Sequence, residues 1–332
     1  MNKIDFVITW VDGNDPEWQK EKALWSKDTS TSDARAIRYR EWDTLRYWFR
    51  GIEKYAPWVN KVHFVTWGHL PEWLNTDNPK LNIVNHTDYI PEEYLPTFSS
   101  HPIELNLHRI PGLSDHFVYF NDDFYLTAPV TPKDFFVKGV PCDSLEETAV
   151  QLSNKNLMIY VNSNDILFTN RQFNKPEVKK RLFWKWYSLR TPGVALRNLL
   201  RAGISRKFFM GLNLHHLPQA YRKDTFEKVW AADPEWLSET CSHKFRDYRD
   251  VSQCVFKFWQ LASGDFYPYD KRKHGYFFAG GNHPEKAAKA IRTKQYKFIC
   301  YNDGVDLDYD YCKELIHSAF EEVFPKKSSF EK

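Results

Sequence analysis

The sequence lacks any apolar run approaching the ~20 residues that a membrane-spanning helix needs. It is also sparing with the residues that mark fibrous or disordered chains, with 13 glycines and 18 prolines in 332 residues and no low-complexity tract. Its five cysteines (Cys142, Cys241, Cys254, Cys300 and Cys312) are odd in number, widely spread and without CxxC spacing. That pattern argues against a disulfide framework or a zinc knuckle and for a reducing compartment. No HExxH spacing occurs, which argues against a catalytic zinc. Charge of one sign is lacking too. The balance is +3, from 46 basic and 43 acidic side chains, which excludes a whole-molecule electrostatic binder of nucleic acid. The first five residues pass at once into a strand-like pattern, leaving no room for a signal peptide, so the expected location is the cytoplasm.

What remains is a folded globular chain, 42% hydrophobic and 27% charged, with a high aromatic share of 17%. Residues 4–11 are β-branched and aromatic and end at Asp12-Gly13-Asn14-Asp15-Pro16, which reads as a buried strand delivering its carboxyl end into a loop. Residues 40–55 carry apolar side chains at helical spacing and stop before Pro57. Strands are predicted at 61–67, 81–84 and 117–120, with a helix over 100–108 between the last two. Strands alternating with helices indicate βαβ units and a mainly parallel sheet, whose carboxyl edge is where ligands bind. Residues 130–172 read as short strands and turns, 219–262 as helical, 296–300 as a strand and 311–324 as a final helix. The expected organisation is a nucleotide-binding half over 1–130, a variable insertion over 131–210 and a part over 211–332 that completes the same site.

Four constellations could carry chemistry. Asn121-Asp122-Asp123 closes an apolar strand; adjacent carboxylates repel unless a cation neutralises them, although the triplet is also good turn chemistry. Thr9-Trp10-Val11-Asp12-Gly13 closes another strand, where Gly13 lets backbone approach a ligand and Asp12 could accept from a base or ribose; an unoccupied turn is the alternative. His101, His108, His215 and His216 are candidate bases against a structural role, and Arg38, Arg40, Arg109 and Arg246 candidate phosphate contacts against solvation. The acidic run from Asn302 and Asp303 to Asp310 has its glycine misplaced for an EF-hand; it either adds a carboxylate to a metal site or is a solvated loop. A segment over 175–207 holds ten Lys/Arg against Glu177 alone, mixed with Trp and Phe. It is either a solvated cationic face or a surface for an anionic membrane or acidic lipid-linked glycan.

Taken together, Asp5 to Gly13, the blocks from Arg40 through Pro71-Glu72-Trp73 and Thr97-Phe98-Ser99-Ser100 to Asn121-Asp122-Asp123, then His216-Leu217-Pro218, His243-Lys244-Phe245-Arg246 and Lys297 to Asp303 resemble the Stealth family of sugar-1-phosphate transferases. That family includes bacterial capsule polymerases and the N-acetylglucosamine-1-phosphotransferase that tags lysosomal enzymes. The resemblance implies a GT-A-like or Rossmann-like α/β core with a helical insertion. It implies transfer of a hexose- or N-acetylhexosamine-1-phosphate from a UDP-sugar to a glycan hydroxyl, with a Mg²⁺ or Mn²⁺ ion and release of UMP. By position it implies Asp122, His216 and Arg246 as catalytic, with the base open between Asp122 and His216. Thr9, Trp10, Val11, Asp12, Gly13, Arg40, His108, Arg109 and Asn121 would bind the nucleotide-sugar, and Asp123, Asn302 and Asp303 the metal. The implied partners are the donor and a glycan or lipid-linked glycan acceptor; the middle segment 130–210 carries no signature of the family, and peripheral contact at the inner face of the plasma membrane through 175–207 is the reading of its basic-aromatic mixture alone. A conventional UDP-sugar glycosyltransferase releasing UDP and a non-catalytic glycan-binding protein are the alternatives.

Overall fold

The computed structural model describes residues 3–26, 32–33, 39–150, 157–304 and 307–332. Arg38 and Asp306 lie outside the described residues. The chain is an α/β protein with a mainly parallel central sheet flanked by helices, as the alternation of elements predicts. Strands β1 (Ile4–Thr9), β2 (Val62–Thr66), β3 (Leu81–Asn85), β4 (His116–Phe120) and β6 (Gln219–Arg222) assemble in the order β3-β2-β1-β4-β6. The first four are parallel, with Phe6 opposite Val62 and Val118, and β6 joins β4 antiparallel. A second sheet has β8 (Phe298–Tyr301) between β7 (Gly275–Phe278) and β5 (Phe124–Leu126).

Both faces of the central sheet are buried, which is why its strands read as nearly continuous apolar runs. Phe6, Ile8, Val118 and Phe120 point to one face. There they meet Trp48, Phe49 and Ile52 of α2 (Leu45–Tyr55), while Ile291 of α11 (Pro284–Arg292) and Phe320 of α12 (Tyr309–Val323) extend the same cluster. Val7, Phe117 and Tyr119 point to the other. Their cluster takes in Leu105 at the end of α3 (Ser100–Leu105) and residues of α8 (Lys223–Ala232), α9 (Pro234–Ser242) and α10 (Cys254–Ser263). Burying polar atoms demands partners. Asp5, fully buried on β1, accepts from Asn60 Nδ2 at 2.7 Å and Ser114 N at 2.8 Å and lies 3.1 Å from His63 Nε2. Burial opposes its charge, but these bonds hold its carboxyl below the ordinary range. Arg50 of α2 grips Glu331 through two bonds of 2.8 Å, fastening the end of the chain to the core.

Two stretches differ from expectation. Residues 157–172 form a helix, α4 (Leu157–Gln172), where turns are predicted. Its asparagines, serine and threonine disfavour helix locally; packing of Val161, Ile166 and Phe168 holds it. Residues 219–222 form β6 rather than helix, because four residues seated against the edge of β4 carry no period of their own. The basic segment is helical, as α5 (Lys175–Arg181), α6 (Phe183–Trp186) and α7 (Pro192–Arg201), and α7 starts at the Thr191-Pro192 break. Its apolar side chains pack with Leu145 and with Phe258 and Leu261 of α10. No helix among the described residues is long and apolar enough to cross a membrane.

Candidate active site

Strand β4 ends at Phe120 and β5 begins at Phe124, so Asn121, Asp122 and Asp123 fill the bend between the two sheets. The bend is closed by Phe124 N donating to Asn121 O at 3.1 Å. Strand β8 runs antiparallel to β5 with Cys300 opposite Phe124, and Tyr301 N donates to Asp123 O at 3.1 Å. That register delivers Asn302 and Asp303 to the same edge. The edge opens into a cleft of about 1350 Å³ lined by Asn121, Asp122, Asp123, His216, Arg246 and Asp303, among others.

Asp123 is the most exacting group there. Its Oδ1 is buried without a hydrogen-bond partner, while Oδ2 lies 3.4 Å from Cys300 Sγ and 4.0 Å from His216 Nε2. The ligand atoms of Asp123, His216 and Cys300 all fall within 4.8 Å of one another, an arrangement able to hold a metal ion. A buried carboxylate oxygen with no donor is costly, and a hard cation supplies what it lacks. The thiol suits such a cation poorly; burial beside Asp123 and Asp122 pushes Cys300 far above the ordinary thiol range, which keeps its proton on. Asp122 opens to the cleft with protein walls on its other sides. This enclosure, then the charges of Asp123 and Glu41, raises its carboxyl well above the ordinary range, and burial raises Asp123 as well.

His216 projects from an unusual turn. His215 and His216 both take left-handed backbone, with φ of 54° and 44°, which costs energy for residues with a Cβ. His216 N donates to Leu214 O at 2.7 Å, and its ring packs on Phe124 and Phe277. Two buried lysines hold the turn from beneath, Lys257 Nζ donating to Leu214 O at 3.3 Å and Lys271 Nζ to Pro218 O at 3.4 Å. Both ammoniums share one fully buried carboxylate, Asp143, at 3.5 and 3.3 Å. Burial pulls Lys271 down to about 8, while the two cations hold Asp143 far below the usual range against its own burial.

A smaller cavity of about 140 Å³ adjoins the cleft. Thr9, Trp10 and Val11 line it together with the rings of Trp18 on α1 (Pro16–Trp25), Tyr39 and Phe98. Trp10, Asn121, Asp122 and Arg246 border both spaces, so a ligand reaching from one to the other passes over Asp122. Arg246 donates from Nη2 to Ser100 Oγ at 2.9 Å. Arg40 lines the cleft but is paired with Asp303, its Nε donating to Oδ2 at 2.6 Å, and Asn302 Oδ1 accepts from Gly280 N at 2.6 Å. Both metal candidates of the acidic loop therefore border the cleft with protein partners already in place.

Four residues of the expected set lie elsewhere. Asp12 accepts from Asn14 N at 2.8 Å and lines neither cavity. At Gly13 a Cβ would stand 2.0 Å from Tyr39 O, so this glycine makes room for the protein's own backbone rather than for a ligand. His108 is buried against Phe226 and Arg109 lies over Trp230. The turn after α3 carries both away from the sheet edge, and burial drives His108 down to about 3, leaving it neutral. Sequence reasoning missed Glu41, Glu104 and Cys300. Cys300 shares a strand face with Phe298 and stands two residues before Asn302, which is the signal that places it.

The sequence profile of Stealth protein CR2, conserved region 2, matches residues 38–143, that of conserved region 1 matches 2–29 and that of conserved region 4 matches 289–332. Receptor polysaccharide phosphotransferase WefC of Streptococcus oralis is 39% identical over 341 residues, 100% of both chains. The chain belongs to the Stealth family. Capsular polysaccharide phosphotransferase WcwK of Streptococcus pneumoniae is 38% identical over 336 residues, covering 100% of this chain and 99% of the relative. The Stealth profiles cover β1, the whole run from β2 to the Asn121-Asp122-Asp123 bend, and α12. The solved galactosyltransferase LgtC, in complex with donor and acceptor sugar analogs, aligns over 95% of both chains at 9% identity with a TM-score of 0.39, a likeness too loose to bear on chemistry.

Proposed function

We propose that this Stealth protein is a phosphotransferase of polysaccharide synthesis that moves a sugar-1-phosphate from a UDP-sugar to a hydroxyl of a glycan acceptor, releasing UMP. The observation that carries the reading is the Asp122–Asp123 pair at the junction of the two cavities, one carboxylate oxygen buried and unpartnered, with an arginine alongside. The printed names of the relatives, receptor and capsular polysaccharide phosphotransferases, support the reaction class.

The nucleobase enters the small cavity, whose wall includes the aromatic side chains Trp18, Tyr39 and Phe98. The diphosphate then crosses the junction beside Arg246, whose guanidinium matches phosphate geometry. Asp123 would hold the divalent cation, with His216 next to it. When bound, that ion offsets the negative charge of the phosphates. The acceptor oxygen bonds to the phosphorus that bears the donor sugar, the bridging P–O bond breaks, and the electron pair leaves with UMP. Asp122, open to the cleft and enclosed elsewhere, takes the proton of the attacking hydroxyl.

Incubation of the full chain with a panel of UDP-sugars, a glycan acceptor and Mg²⁺ or Mn²⁺ tests the reading, with the nucleotide product weighed by mass. UMP is expected. Acceptor-dependent release of UDP would assign the chain to conventional glycosyl transfer, and no acceptor-dependent nucleotide release from any donor would sink the proposal.

A further inference from the structure

Helix α7 is amphipathic in the reverse sense. Leu196, Leu199 and Leu200 follow the i, i+3, i+4 spacing of one apolar stripe, yet they are 57%, 63% and 76% exposed. The positions turned inward include two arginines, Arg197 and Arg201, which reach the buried Glu146 at 2.8 and 3.2 Å. A helix of a globular domain ordinarily turns such a stripe to its core. Here the core beneath is already filled by Trp186, Phe209 and Leu212. Further exposed apolar side chains flank the stripe in the chain, Trp184 and Leu189 before it at 84% and 94% exposed, and Ile204 and Phe208 after it. An apolar patch of this extent marks an interaction surface.

The charge around it selects the partner. Residues 175–207 carry ten Lys/Arg and one acid. Their ion pairs use Lys175, Arg197 and Arg201. Lys180, Arg206 and Lys207 are exposed, with no carboxylate in ion-pair reach among the described residues. A second copy of the chain would set this cationic face against itself. Long basic side chains around exposed Trp, Phe and Leu are what an anionic bilayer surface takes, the rings and leucines entering the headgroup layer and the cations meeting lipid phosphates.

We propose that α6, α7 and the turn to Phe208 form a docking face for an anionic membrane surface. The lobe leads into the cleft within a few residues, since Leu212 lies in its core and Asn213 to His216 line the cleft. Docking there ties the cleft to the bilayer. This inference is independent of the transfer chemistry.

Flotation of the full chain with vesicles tests it, comparing phosphatidylcholine alone with phosphatidylcholine mixed with phosphatidylglycerol. The chain is expected to float with the anionic vesicles only. Two double variants, W184A/L200A and R206E/K207E, are each expected to weaken recovery at least about tenfold. All four side chains are exposed, so melting temperatures should not move. Equal recovery with both vesicle types, no recovery with either, or wild-type recovery by both variants would overturn the proposal. A lipid-free dimer in sedimentation velocity that both variants dissolve would assign the face to a second copy instead.

Discussion

Individual residues carry much of the case because the cleft spends stability on placing them. Asp122 and Asp123 repel each other, and Asp123 hides an oxygen with nothing to bind. A turn with no task would not retain that arrangement at such cost. Asp122→Asn keeps the shape and removes both the proton acceptor and one of the repelling charges, so turnover should fall by about 10²–10⁴ while the melting temperature holds or rises, and near-normal turnover would remove Asp122 from the mechanism. Gly13 sits at the other extreme. Gly13→Ala drives a methyl into Tyr39 O and should cost about 1–3 kcal/mol in denaturant unfolding. A variant as stable as the parent would show that the Tyr39 backbone yields freely.

At the scale of elements, the turn holding His215 and His216 depends on charges laid beneath it. Asp143 balances two buried ammoniums, so Asp143→Asn leaves both uncompensated and should cost about 3–5 kcal/mol. Chemical unfolding measures this directly, and a loss under 1 kcal/mol would mean that the lysines shed their charge or find other partners. The same support is invisible in the sequence, because Asp143, Lys257 and Lys271 lie far apart in the chain and meet only after α10 packs on β6. What could be read was local. The apolar runs of β1, β2 and β4 and the Asp/Gly/Pro stop after β1 announce buried strands with a ligand edge, and 45–55 announces α2 through its spacing. Helix α4 could not be read, since its polar residues disfavour helix until Val161, Ile166 and Phe168 find the core. In the cleft, the Asp122–Asp123 pair was legible because like charges side by side need a reason. His108 misled because its placement rests on the family block that it shares with Arg109, and only the fold shows it packed on Phe226 and lining neither cavity.

For the molecule as a whole, a group of buried acids behind the cleft ties stability to pH. Burial pushes Asp165 up to about 8, with Glu104 and Asp250 adding to the rise and bonds from Ser252 N and Oγ opposing it. An unfolded aspartate releases its proton near pH 4, so between about pH 4 and 8 the folded chain binds one more proton at this site than the unfolded chain. Stability from this group is therefore fullest below pH 4 and is lost as pH rises toward 8. Asp165→Asn, which can keep both Ser252 contacts without a charge, should melt above the parent at pH 8 and approach it near pH 4. A variant that melts below the parent at both pH values would contradict the assignment. The central claim concerns the whole assembly of cleft, base and aromatic cavity, and it is that phosphorus is the atom attacked. A UDP-sugar labelled at the phosphorus nearer the sugar tests this most directly. The label should move into the glycan and stay there as a phosphodiester through removal of nucleotides; label found only in released UDP, with unlabelled sugar in the glycan, would contradict it.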